Sequence, residues 1–164
     1  DAGYSFDTAQ ASFELLARRE LGQAPDFFEV KRYKVTVERR KNKRNKMVSL
    51  SEAVVVVKVD GQKMLSVSES MDETGSDRGP VNALAKALAK DLGPYQTLID
   101  DIRLVDFKVR ITQGGTEAVT RVVIDSEDSG GNRWSTVGVS ANIVDASFEA
   151  LLDAVNWKLV RDVV

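Results

Sequence analysis

The sequence predicts an α+β fold made of duplicated βββα modules, two three-stranded antiparallel sheets each with a covering helix, preceded by a short helical connecting segment. Three observations carry this. Period-two apolar runs punctuated by turn signals come in threes, and each trio is followed by an amphipathic helix pattern. The same order recurs beyond the breaker Gly93-Pro94. The helices also match residue by residue, since Val81-Asn82-Ala83-Leu84-Ala85-Lys86-Ala87-Leu88 aligns with Val144-Asp145-Ala146-Ser147-Phe148-Glu149-Ala150-Leu151, five of eight positions being identical or differing only as Asn against Asp. Residues 1–27 read as the connecting segment and residues 28–164 as one domain of two modules, at about 28–93 and 100–164. A three-stranded sheet under one helix leaves an apolar face that the twin module, or another copy of the chain, must cover.

Asp7 is a good N-cap for a helix from Thr8 to about Leu21, with Phe6, Ala9, Phe13 and Leu16 on one face and Gly22 as the stop. After Pro25, the stretch Phe28 to Arg39 carries Lys31, Tyr33, Val35 and Val37 in alternation and predicts a strand. Arg39 to Lys46 holds six cations, two asparagines and no apolar residue, so it lies in water as a hairpin tip. Met47 to Val59 is a β-branched strand, Asp60-Gly61 a two-residue hairpin, and Gln62 to Ser68 the returning strand. Met71 to Arg78 is polar. Gly79-Pro80 then puts proline at the first position of a helix whose face is Val81, Leu84, Ala85 and Leu88. In the second module, Ile102 to Thr112 alternates Val105, Phe107, Val109 and Ile111, Gln113-Gly114-Gly115 turns, and Glu117 to Ile124 follows. Asp128 to Asn132 turns again, Arg133 to Ser140 is the last strand, and Asn142 caps a helix with Val144, Phe148, Leu151, Leu152, Val155 and Leu159 inward.

Composition narrows function. At 164 residues and 43% apolar the chain can bury a core without staples, and it has no cysteine to make any. It also has no histidine, which removes the commonest general base, the commonest zinc ligand and every Ser-His-Asp triad. A net charge of −2 gives no overall field for nucleic acid. The longest apolar run, Ala53 to Val57, is far short of the roughly 20 residues that cross a bilayer, and no export signal opens the chain, so a cytoplasmic location is expected. Residue 1 is Asp, which suggests a piece of a longer protein.

Acidic groups such as Asp100, Asp101 and Asp106, or Asp125, Glu127 and Asp128, are the remaining candidates for acid-base work. Acids close in sequence are more often solvated loops and caps, and the second group lacks the spacing of a calcium loop. The basic tip could contact phosphates, and helix, three strands, helix echoes double-stranded-RNA-binding modules, but the helix opening at Pro80 carries no basic cluster. More informative is that each module delivers its last strand through a short loop to a helix N-terminus, at Asp77-Arg78-Gly79-Pro80 and at Ser140-Ala141-Asn142-Ile143. Free N–H groups there favour a carboxylate, and Asp77, Asn82 or Asp145 could take an ammonium, which together suit a free amino acid. Ordinary capping is the alternative.

Gly79-Pro80-Val81-Asn82-Ala83 resembles the Gly-Pro-x-Asp-Ala loop of the C-terminal regulatory domain of citramalate synthase and 2-isopropylmalate synthase. Leu104-Val105-Asp106-Phe107-Lys108-Val109 is similar to that family's Leu-x-x-Tyr-x-Val strand, and Val137 to Ile143 to the start of its last helix. Gly3 to Phe6 and Ala9 to Leu16 look like the connecting segment of the citramalate branch. The resemblance implies a non-catalytic, cofactor-free chain, a homodimer, and feedback inhibition by isoleucine, or by leucine in the isopropylmalate branch. The acetyl-CoA condensation, with its divalent metal, would belong to an N-terminal barrel elsewhere in the polypeptide. Matched motif positions imply an effector pocket of Asp77, Arg78, Gly79, Val81, Asn82, Leu104, Phe107, Ile111, Ala118, Thr120, Ala141 and Asn142. Asn82 stands where the family has Asp and Phe107 where it has Tyr, so a charge and a hydroxyl are missing, the first of which Asp77 could replace.

Overall fold

A computed structural model describes the backbone of residues 10–72, 78–114 and 117–163, arranged as two compact units: residues 28–96, and residues 97–164 together with 1–27. Six strands form two three-stranded antiparallel sheets in the simple orders β1-β2-β3 and β4-β5-β6, which makes the fold α+β with a repeated module.

In the first unit β1 (Glu29–Lys41), β2 (Met47–Val59) and β3 (Gln62–Asp72) form a meander covered by α2 (Arg78–Leu88). The label α1 belongs to Gln10–Glu20 of the other unit. Asp60 and Gly61 both have positive φ, 50° and 80°, which is the backbone a two-residue hairpin requires, and they join Val59 to its partner Gln62. One face of β2, from Ala53 through Val55 and Val57 to Val59, is buried, as are Val81, Leu84 and Leu88 of α2. Leu84 and Leu88 alone contribute about 2 kcal/mol each by leaving water.

Several boundaries differ from expectation. Arg39 to Lys41 belong to β1, paired with Ser49 to Met47, so the loop is only residues 42–46. Its shape comes from Asn42, whose Oδ1 accepts the N–H groups of Arg44 and Lys46 at 2.9 and 3.0 Å. The β3 strand continues past Ser68 to Asp72 because β2 offers partners that far, and it takes in Met71. Helix α2 starts at Arg78, with Pro80 tolerated in the first turn where its missing N–H has no partner to lose. It ends at Leu88 rather than running on to Gly93. A 3-10 turn, Gly93–Tyr95, and a short helix, α3 (Gln96–Ile99), follow where only a breaker was expected.

In the second unit β4 (Arg103–Gly114), β5 (Glu117–Glu127) and β6 (Arg133–Ser140) are covered by α4 (Ile143–Val163), while α1 packs on β6 and α4. The β5 strand runs three residues beyond the expected Ile124, and α4 four beyond Leu159. Phe148, Leu151, Val155 and Leu159 are buried as predicted, whereas Val144 and Leu152, expected inward as well, are only half-buried. On α1 the predicted face is the wrong one. Ala11, Ser12 and Leu15 are buried, whereas Phe13 and Leu16 are 54% and 57% exposed. The reason is polar: the Ser12 hydroxyl accepts the N–H of Val137 on the outer edge of β6 at 2.9 Å and donates to Asp153 Oδ2 on α4 at 2.7 Å. That anchor turns the helix toward Ser12.

A second correction concerns phase. Each first strand has a register shift near its start, at Val30/Arg32 in β1 and Leu104/Asp106 in β4. Lys31 and Val105 are therefore the extra residues of a bulge, and Val30 and Leu104 share the helix-side face with Tyr33 and Phe107. The bulge recurring at the same place in both modules is structural evidence of the repeat.

Candidate functional site

The expected effector residues fall into two groups, one in each unit. In the first unit Gly79 and Val81 are buried in the opening turns of α2 and Asn82 is exposed. Asp77 and the Arg78 side chain lie outside the described residues. In the second unit Phe107, Val109 and Ile111 point to the same side as Ile124, Val122 and Thr120, with which they pair. Helix α4 lies over β5 and β6 and leaves β4 uncovered. Phe107 is consequently half-buried, while Val109 and Ile111 are 37% and 63% exposed, although Thr120 and Val122 one strand away are buried. Val109 completes this strip and was missed by motif matching; the alternation at 107, 109 and 111 is the signal that finds it.

Ile111 pairs with Thr120 and Thr120 with Ser140, so this row of the sheet leads to Ala141 and Asn142 at the start of α4. Ala118 is exposed beyond the row. Leu104 stands near the other end of β4 opposite Ser126, roughly 20 Å along the strand from Ile111. Within the unit, then, the structure brings Ile111, Thr120, Ala141 and Asn142 to one end of the sheet, with Phe107 midway and Leu104 apart. Asn142 Oδ1 accepts the N–H of Val144 at 2.8 Å and that of Asp145 at 3.4 Å, and Ser140 Oγ accepts the N–H of Asn142 at 3.2 Å. Two of the free donors of α4 are thus taken by its own cap. What this end presents to a ligand is chiefly the apolar strip.

Of the acidic groups considered for catalysis, Asp101, Glu127 and Asp128 are held in ion pairs. Lys158, 3% exposed, forms an ion pair with Asp101 and lies 3.4 Å from Asp128. Arg161 Nη2 reaches Asp128 at 2.5 Å and its guanidinium sits 5.6 Å from the Trp134 ring centroid. Asp128 Oδ1 also accepts the backbone N–H groups of Gly130 and Asn132, both at 3.0 Å. Hydrogen bonds from Lys158 and Ser129 hold the Asp101 carboxyl down to about 2, and the Arg161 guanidinium holds Asp128 well below the usual carboxylate range. Glu127 is paired with Arg103 and Arg133. Two carboxylates pinned in the ionised form have no proton to exchange near neutral pH, so this cluster braces α4 against the β5–β6 turn. Asp153 and Glu149 shift the other way, chiefly because burial disfavours their charge. Among the described residues no group of three or more His, Cys, Asp or Glu could hold a metal ion, and no helix is long and apolar enough to cross a membrane.

Residues 7–159 match the model of the LeuA allosteric (dimerisation) domain. The chain is 44% identical to an (R)-citramalate synthase of Geobacter sulfurreducens over 159 residues, 96% of this chain and 28% of that protein. It is 40% identical to an (R)-citramalate synthase of Aquifex aeolicus over 162 residues, 98% and 29% of the two chains. A 2-isopropylmalate synthase of Clostridium kluyveri is 30% identical over 143 residues, 87% of this chain and 24% of its own length. The chain therefore spans under a third of the length of these curated relatives.

Proposed function

Because the chain belongs to the LeuA allosteric (dimerisation) domain family, we propose that it is the dimerisation and feedback-sensing part of an (R)-citramalate synthase and that its effector is isoleucine. The condensation of acetyl-CoA with pyruvate, and the divalent metal it uses, would reside in the part of the parent that lies outside this chain. Similarity favours the citramalate branch over a leucine-sensing 2-isopropylmalate synthase, at 44% against 30% identity. An RNA-binding role has less support: the cations of the hairpin tip share their edge strand with Tyr33, Val35 and Val37, and α2 opens with no basic cluster.

The single observation that supports effector binding is the strip Phe107, Val109 and Ile111, left open beside the capped start of α4. A branched aliphatic side chain suits such a surface, and a partner protomer would close it. An effector regulates only by binding one arrangement of the protein better than another. Thermal melts of the chain with isoleucine, leucine and valine test the reading. Isoleucine at 100 times its dissociation constant should add about 2.7 kcal/mol of stability. A larger rise with leucine would move the chain to the other branch, and no rise with any of the three would refute a working effector site.

A further inference from the structure

The outer faces of the two sheets, turned away from α2 and α4, carry opposite charges on the same row of the repeat. Aligning the modules at their shared bulge makes Thr36 the counterpart of Arg110, Glu52 of Arg121 and Glu69 of Val139. In the first sheet Glu52 and Glu69 are direct partners across β2 and β3, and in the second Arg110 and Arg121 are direct partners across β4 and β5. Like charges set opposite one another in a sheet repel and destabilise it. Neither pair is neutralised where it stands. Glu52, Glu69 and Arg110 are exposed and Arg121 is half-buried, and none of the four has an opposite charge at ion-pairing distance among the described residues. Their neighbours do: Lys108 is paired with Asp106, and Arg103 and Arg133 with Glu127. The surroundings of both pairs are apolar. Leu50 and Val54 flank Glu52 on β2, Val119 and Val123 flank Arg121 on β5, and Val67 and Met71, either side of Glu69 on β3, are 38% and 62% exposed. Each face thus holds what the other lacks.

We propose that the outer face of the first sheet of one copy packs on the outer face of the second sheet of another copy, and the reverse, with Glu52 facing Arg121 and Glu69 facing Arg110. The register follows from the repeat. Two equivalent sheets brought face to face by a half-turn about an axis along their strands set β2 over β5, β3 over β4 and β1 over β6, with equivalent rows at the same height. Glu52 then meets Arg121, Glu69 meets Arg110 and Thr36 meets Val139, while Leu50 and Val54 meet Val119 and Val123. No like charges meet in this row. Facing sheets stand about 10 Å apart, a gap that a glutamate and an arginine bridge together. The contact occurs twice in a pair of copies, once from each side, so it closes as a twofold dimer and leaves no surface to propagate. The strip Phe107, Val109 and Ile111 lies on the reverse of β4, so this contact adds to the closure of that strip rather than replacing it. The assignment rests on the reading that the chain pairs with itself, and it names the residues that hold the pair together.

Sedimentation of the full chain and of two double variants tests the contact. Glu52→Arg with Glu69→Arg puts cations on both faces, and Arg110→Glu with Arg121→Glu puts acids on both. None of the four side chains is buried, so both variants should keep the melting temperature of the unaltered chain. Each variant alone should dissociate about tenfold more readily than the unaltered chain. An equimolar mixture of the two should restore the dimer, because every face again meets its opposite. Only a charge contact between copies gives that rescue. Should either variant fail to fold, the unaltered chain carries the test, since raising salt from roughly 50 to 500 mM should weaken its dimer severalfold. An unaltered chain that sediments as a monomer overturns pairing and this contact together. Variants that dimerise as well as the unaltered chain, a mixture that stays monomeric, or a dimer indifferent to salt overturns the contact alone and leaves pairing through other surfaces standing.

Discussion

At Gly138 the backbone of α4 approaches β6 so closely that a Cβ would stand 1.8 Å from the carbonyl oxygen of Ala146 and 3.0 Å from the amide nitrogen of Ala150. Neither atom belongs to a flexible side chain, so Gly138→Ala must move the helix. It should cost about 3 kcal/mol, read as a lower urea midpoint at unchanged slope. Glycine inside a strand signals close approach, but which element comes close is a tertiary fact that a strand pattern does not contain. Asn142 was more legible. Its type and place before an apolar run announce a cap, and Asn142→Ala should cost about 1 kcal/mol of thermal stability.

Elements held by ion pairs respond to acid. Asp101 and Asp128 titrate lower in the folded chain than the ordinary 3.8, so their stabilising share is present above about pH 4 and is lost as pH falls through about 2. Asp153, raised by burial, has the opposite sign: its share is full below about pH 4 and fades as pH rises through its folded value. A denaturation series from pH 2 to pH 7 should therefore show a steep acid limb, and Lys158→Met should flatten it. Lys158→Ala should cost about 2 kcal/mol at neutral pH, because Arg161 remains to satisfy Asp128. Strands, helices and hairpins were readable here from alternation, Asp60-Gly61 and caps. The bulges at Lys31 and Val105 were not, since counting in twos carries a wrong phase across an extra residue. Nor was the buried side of α1, where one hydroxyl outweighed Phe13 and Leu16.

For the whole molecule, the open strip on β4 and the partly exposed Val37 on β1 are the half-covered sheets anticipated from one helix over three strands. Sedimentation should give twice the 18.0 kDa of one chain, and Ile111→Lys, at an exposed position that needs no repacking, should shift the equilibrium toward monomer. The duplication and the alternation that sets Phe107 and Ile111 on one face of β4 could be picked out before any coordinates. That Leu104 sits apart from them could not, because motif spacing says nothing about distance along a strand.

Among the described residues the strand order leaves β1, thirteen residues long, with one unpaired edge, and along it the chain places Lys31, Arg32, Lys34, Arg39, Arg40 and Lys41. Rows of like charge prevent a bare edge from zipping onto the same edge of a neighbour. The cation-rich hairpin thereby acquires a role in colloidal behaviour: replacing Arg39, Arg40 and Lys41 with threonine should leave the melting temperature nearly unchanged yet seed thioflavin-positive fibres in concentrated solution.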